Sequence, residues 1–210
     1  MGEDDLALID RVGNKFSHAS VLEHVSYNFY ISGISRACLQ EIARHRHASL
    51  SVRSSRYTLK ELKSEEPFYD KNLVEHIVKE RISKGISIRE PYTKEEFTLQ
   101  FDSVRASKYI VMTNNTLVDS LSITALEGLR AAITTGISND IVKYCMPECY
   151  RTELAWSVNI RSLQNFISLR SDKAALWEIR ELAHKLFEAL PEEHKYLFVD
   201  SLKEYNDKKD

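Results

Sequence analysis

Residues 44–57, RHRHASLSVRSSRY, gather Arg44, Arg46, Arg53 and Arg56 with His45, His47 and four serines. A guanidinium offers a planar fork of donors, and short hydroxyls add single donors at close range. Together they suit a phosphate or the flat polar edge of a base. The competing reading is a solvated basic patch, against which stands the interleaving of Arg with Ser49, Ser54 and Ser55. The basicity is local: 29 Lys and Arg against 31 Asp and Glu give a formal charge of -2, without the excess expected of a protein that tracks nucleic-acid backbone. Six glycines are scattered, and neither GxGxxG nor GxxxxGK[ST] occurs. If a nucleotide binds, arginines must hold it instead of a glycine-rich loop.

Other reactive side chains are sparse. Three cysteines, Cys38, Cys145 and Cys149, are too few and too odd in number for a disulfide framework, so reduced thiols are expected. Cys149 could act as a nucleophile near a helix end or be structural. His18 and His24 flank five residues, and Cys145 and Cys149 flank MPE with Pro147 bending the chain; neither pair has zinc-type spacing, and no metal is expected. One arginine stands out by position. At about 100° per residue, Ile160, Leu163, Phe166 and Ile167 form a stripe that includes Arg170. A guanidinium there must either snorkel outward or meet an anion or carbonyls, because burying it unpaired is costly. Asn165 points the opposite way, toward what could be a second subunit.

The chain that must position these groups has 210 residues and 24.3 kDa, 43% hydrophobic and 29% charged, which predicts one globular domain over 1–210. The start, MGEDDLALID, lacks the order of a secretory signal, and no apolar run approaches the roughly 18 residues of a membrane helix. A cytoplasmic protein without membrane partners is expected. SYNFYISGI (26–34) alternates as a strand, and SRACLQEIARHRH has helical spacing through Cys38, Leu39, Ile42 and Ala43. SLSVRSSRY reads as a loop. KNLVEHIVKERISKG (71–85) predicts a helix with Leu73, Ile77 and Ile82 on one face, ended by Gly85. KYIVMT (108–113) reads as a strand, followed by a long helix from Thr116 to a Gly136 stop. A short helix begins near Ser138 and closes at Pro147. RTELAWSV (151–158) reads as a strand, and 159–170 and 171–190 as helices. Helices dominate, with a few strands.

RHR, seven residues, then Ser54 is a pattern that resembles the signature of the flavin-dependent thymidylate synthases. VNIRSLQNFISLR with ALWEIRELA resembles that family's C-terminal block, and HASVLEH resembles its upstream block; the likeness runs from about residue 18 to 190. The resemblance implies an α+β, single-domain subunit, with a central mostly antiparallel sheet flanked by helices, in a homotetramer whose sites lie where subunits meet. It implies that dUMP and methylenetetrahydrofolate give dTMP and tetrahydrofolate, with FAD as hydride carrier and NADPH as its reductant. The cofactor then supplies the chemistry, and the protein position and electrostatics.

Position by position, the resemblance assigns FAD contacts to Ser20, Arg44, His45, Arg46, Asn159, Arg161 and Asn165. It assigns dUMP contacts to Glu41, Arg44, Ser54, Ser55, Arg56 and Lys143, and gives Arg170 the pyrimidine, where it favours ionisation at N3. The chain also departs from the pattern. Ser51 replaces a common Asn, Val52 a common Glu, and Lys143 a phosphate-binding Arg, keeping the charge without the fork. Glu41 stands where the family often carries Gln, with Gln40 beside it, so the upstream dUMP contact falls either to Glu41 or to Gln40. His18 is either a wall of the folate site or a structural histidine. Two readings from other classes remain open, an arginine-rich nucleic-acid-binding module and a thiol-dependent transferase built on Cys149.

Overall fold

The computed structural model describes residues 3–15 and 20–203; His18 lies outside them, and Arg56 is described by its backbone. In chain order the helices are α1 (Glu3–Asp10), α2 (Arg36–Ala43), α3 (Ser55–Lys63), α4 (Lys71–Ser83), α5 (Lys94–Gln100), α6 (Ser103–Ala106), α7 (Thr116–Thr134), α8 (Asn139–Val142), α9 (Ile160–Arg170) and α10 (Trp177–Glu188). The strands are β1 (Ser26–Ser35), β2 (Ala48–Val52) and β3 (Arg151–Asn159). The α+β class agrees with the sequence. Two compact units are drawn from this chain, one from Met1–Ser32, Cys38–Val52 and Leu154–Asp210, the other from Gly33–Ala37 and Arg53–Glu153.

The three strands make a small sheet in the order β1-β3-β2, and β2 runs antiparallel to β3, with Ala48 opposite Val158 and Val52 opposite Leu154. In the first unit, the alternation of β3 turns Leu154, Trp156 and Val158 inward. The stripes of α9 and α10 bury Leu163, Phe166, Ile167, Ile179, Ala183 and Leu186, and the Trp156 and Phe166 rings meet at 5.0 Å. The stretch expected to loop, 49–57, is instead a strand followed by a helix. Its polar sequence carries no period, yet its backbone is paired by β3 at the sheet edge, an example of tertiary pairing overriding local pattern. The helix that opens the RHR segment stops at Ala43, because the chain must turn to start β2 at Ala48.

The core of the second unit packs Leu59 and Leu62 of α3 with Phe68, Phe101, Ile110, Tyr150 and the Ile123, Leu126 and Leu129 face of α7. Asn115 caps α7 by accepting from the Leu117 and Val118 amides, and Gly136, at φ 84, follows its end. KYIVMT is not a regular strand: Ile110 makes a single bridge to Tyr150 and is fully buried, so its apolar run serves the core. On α4 Ile77 is buried, but Ile82 is 61% exposed and Arg81 only 3%. The loop after Gly85 folds over Arg81, which pairs with Glu96 at 2.7 Å, donates to the Ser87, Glu90 and Pro91 carbonyls and lies over the Tyr92 ring. The final expected helix is shorter than 171–190. Asp172 accepts from the Ala174 amide in a turn, and α10 begins only at Trp177. Among the described residues no helix is long and apolar enough to cross a membrane.

Candidate functional site

Where β3 hands over to α9, Asn159 caps the helix by accepting from the Ser162 amide at 2.8 Å. The cap satisfies one of the helix's orphan donors and fixes the start of its polar face. Arg161 and Asn165, four residues apart, share that face opposite the buried stripe. The turn after α2 supplies His45, Arg46 and His47. Together Glu23, His45, Arg46, His47, Asn159, Arg161, Ser162 and Asn165 line one cavity of about 440 Å³ in the first unit. Arg161 pairs with Glu23, while Arg46 has no carboxylate partner among the described residues. The N-terminus of α9 adds its partial positive charge to this wall. The donor set is cations, amides and a hydroxyl, suited to an anionic ligand with polar edges.

Beneath the cavity wall, Arg170 resolves its position in an apolar stripe by meeting an anion. Its side chain is 15% exposed, and Nη1 donates to Glu41 Oε2 at 2.7 Å. Arg44 Nη1 donates to Glu41 Oε1 and Oε2 at 3.2 and 3.1 Å. Arg170 Nε donates to His45 Nε2 at 3.0 Å, and the His45 ring stands edge-on to Phe166 at 4.8 Å. The snorkelling alternative is therefore not what the chain does.

His45 must be neutral to accept from Arg170, so its proton sits on Nδ1. Burial, then Arg170 and Arg44, lower its pKa from 6.5 to about 4, against the opposing pull of Glu41. The sign follows: between about 6.5 and about 4 the unfolded chain binds the proton and the folded chain does not, so this group makes stability fall as pH drops through that window. A proton-detected titration of the histidine rings should find His45 neutral at pH 5.5. A midpoint near 6.5 would show that the Arg170 hydrogen bond is not held in solution.

The remaining sequence-selected residues fall elsewhere. Ser20 is exposed in the turn before Val21–Glu23. Ser54 and Ser55 are half-buried at the start of α3, Arg56 follows in that helix, and Lys143 is exposed at the end of α8; these four belong to the second unit. Beside Ser54, Arg53 is held by Glu153 at 3.0 Å and Glu61 at 3.3 Å. Sequence reasoning missed Glu23 and Ser162. Glu23 stood inside the quoted HASVLEH block, but nothing local marks it as the partner of Arg161. Glu41 as a partner of Arg44 was legible from its i,i+3 spacing, whereas its bond to Arg170, 129 positions away, was not.

Two of the three thiols, Cys38 and Cys149, have pKa values raised by burial. Cys38 is buried, its pKa pushed up to about 12 by desolvation and then by Glu178 and Glu41. Burial also raises the Cys149 thiol, and Cys145 is exposed. Among the described residues no group of three His, Cys, Asp or Glu could hold a metal ion.

Fold and site define an α+β protein with a cavity whose arginines, amides and helix end suit an anionic, flat-edged ligand. The model of the thymidylate synthase complementing protein family matches residues 2–194, and the chain belongs to that family, the flavin-dependent thymidylate synthases. A flavin-dependent thymidylate synthase of Wolinella succinogenes is 56% identical over 197 residues, covering 94% of this chain and 82% of the relative. One from Campylobacter jejuni is 55% identical over 201 residues, 96% and 83% of the two chains. The fold is also similar to a crystal structure of thymidylate synthase X from Helicobacter pylori with FAD and dUMP, at TM-score 0.77 and 46% identity, covering 97% of this chain and 85% of that one.

Proposed function

We propose that the chain converts dUMP to dTMP with methylenetetrahydrofolate as carbon donor, non-covalently held FAD as hydride carrier and NADPH as the source of reducing equivalents. The balance is dUMP, methylenetetrahydrofolate, NADPH and a proton giving dTMP, tetrahydrofolate and NADP⁺. FAD, when bound, carries the hydride. The observation that supports this most is the cavity that brings Arg46 and His45 of the RHR triplet against Asn159, Arg161 and Asn165. In this reading these residues, with Ser20 and Arg44, hold the cofactor. Arg46 would offer its charge to the cofactor's anionic groups, and the Asn159 and Asn165 amides would suit its polar edges.

On the substrate side, Arg170 faces the pyrimidine with Arg44, while Ser54, Ser55, Arg56 and Lys143 hold the nucleotide. Arg170 is shielded from water and held from two directions. A cation so preorganised stabilises negative charge developing on the ring more than it stabilises the neutral ground state. Residues 1–210 act as one catalytic domain, in a homotetramer with sites at the subunit interfaces. The chain is expected to turn yellow when mixed with excess FAD and desalted, and dUMP should then perturb the flavin spectrum. Colourless protein would sink this reading.

No thiol takes part in this scheme, which fits the raised Cys38 and Cys149 pKa values. Replacing Cys38, Cys145 and Cys149 together by Ala should leave dTMP formation within about tenfold of the parent, or about 1.4 kcal/mol in the barrier. Abolished turnover in folded, flavin-loaded triple variant would restore the nucleophile.

A further inference from the structure

The acid at position 41 sits among the very cations that the proposed function gives to the substrate. We propose that Glu41 is a positioning residue for the reaction, its carboxylate setting Arg170 and Arg44 at the separation at which they meet the pyrimidine nucleotide, a role that rests on the proposed function.

Three features carry this. First, one carboxylate serves both cations: Oε2 accepts from Arg170 Nη1 at 2.7 Å and from Arg44 Nη1 at 3.1 Å. The two guanidiniums would otherwise repel each other. Second, the geometry is closed from behind. The Glu41 main-chain oxygen lies 3.5 Å from Arg170 Nη2, and His45 Nε2 takes Arg170 Nε at 3.0 Å, so Arg170 is fixed in direction and not merely neutralised. Third, the charges add up usefully: Arg44 and Arg170 against Glu41, with His45 neutral, leave a net +1. That excess can meet one negative charge on a substrate without a second unpaired cation in a half-buried place.

The residue type matters. The resembled family often carries Gln here, and an amide has one accepting oxygen and an NH₂ that cannot accept. Gln could serve one guanidinium but would turn a donor toward the other. Glu41 therefore acts through the arginines, and the chain has a stronger tether at this position than an amide would give.

The test uses full-length Glu41→Ala and Glu41→Gln proteins reconstituted with FAD, measuring FAD affinity by flavin fluorescence, dUMP affinity by perturbation of the flavin spectrum, and dTMP formation. Glu41→Ala should keep FAD affinity within about threefold, lower kcat about thirtyfold or more and raise the apparent dUMP constant. Glu41→Gln, which keeps one acceptor for Arg170, should recover kcat to within about fivefold of the parent while the dUMP constant stays raised, because Arg44 is released. That split is what a merely structural role would not produce. Parent-like kcat and dUMP constants in flavin-loaded Glu41→Ala overturn the positioning role. So does a Glu41→Gln protein as slow as Glu41→Ala, which would assign the carboxylate a direct part. If Glu41→Ala does not fold, Glu41→Gln decides alone: both constants unchanged overturns the role. A parent chain that binds neither FAD nor dUMP overturns the functional reading itself, and this role with it.

Discussion

Arg170→Ala is expected to keep its flavin and lose dTMP formation by between about thirtyfold and a thousandfold, the 2–4 kcal/mol typical of removing one preorganised donor from a developing charge. Flavin should stay because Arg170 is not among the residues lining the cavity; its link to that wall is the bond to His45. The lost term is one that strengthens along the reaction, so kcat should fall more than the dUMP constant rises. Arg170→Lys keeps the charge but not the planar fork that reaches Glu41 and His45 at once, and should recover only part of the rate. Lys143→Ala gives the contrast. An exposed phosphate contact should raise the apparent dUMP constant more than it lowers the maximal rate, and more so at low salt. Measured flavin content, dUMP titration and dTMP formation under one buffer separate the cases. Parent-like turnover by Arg170→Ala would remove Arg170 from the chemistry, whatever holds it in the folded chain.

What the sequence made legible follows from physical range. Periodicity acts over a few residues, and it located β1, β3, α7 and α9 well, including the odd place of Arg170 in an apolar stripe. It failed where a distant partner decides. β2 has no alternation of its own and exists because β3 pairs with it. Arg81, in a helix that seemed to turn Ile82 inward, is buried because a loop some residues downstream brings carbonyls and Glu96 to it. Ile110 looked like part of a strand because a buried apolar run and a strand read alike. The site shows the same division. His45, Arg46, Asn159, Arg161 and Asn165 of the cavity stood in two short motifs that could be quoted, whereas Glu23 against Arg161 and Glu41 against Arg170 are pairings across more than a hundred residues. In the cavity, the Glu23 pairing sets how available Arg161 is to a ligand.

Availability governs the second large effect. Arg46 and Arg161 line the same cavity, and on composition alone they are equivalent. They differ in company: Arg161 is engaged by Glu23, and Arg46 has no carboxylate partner among the described residues. A ligand that takes Arg161 must first compete with Glu23, which cancels much of the gain. Arg46→Glu is therefore expected to weaken FAD binding by about a hundredfold or more, since a charge-assisted contact of roughly 1.5–3 kcal/mol is lost and a repulsion is added. Arg161→Ala should cost only about fivefold or less, because the net worth of a partly exposed pair is small. Glu23→Ala, which frees Arg161, should tighten FAD binding. Flavin fluorescence titrations of the three variants at two salt concentrations test the ranking, with the Arg46 term shrinking as salt rises. If Arg161→Ala proves the more damaging change, Glu23 is not competing for that guanidinium and the cofactor's anionic groups lie toward α9. Parental affinity in Arg46→Glu would mean that the RHR triplet holds something other than the flavin.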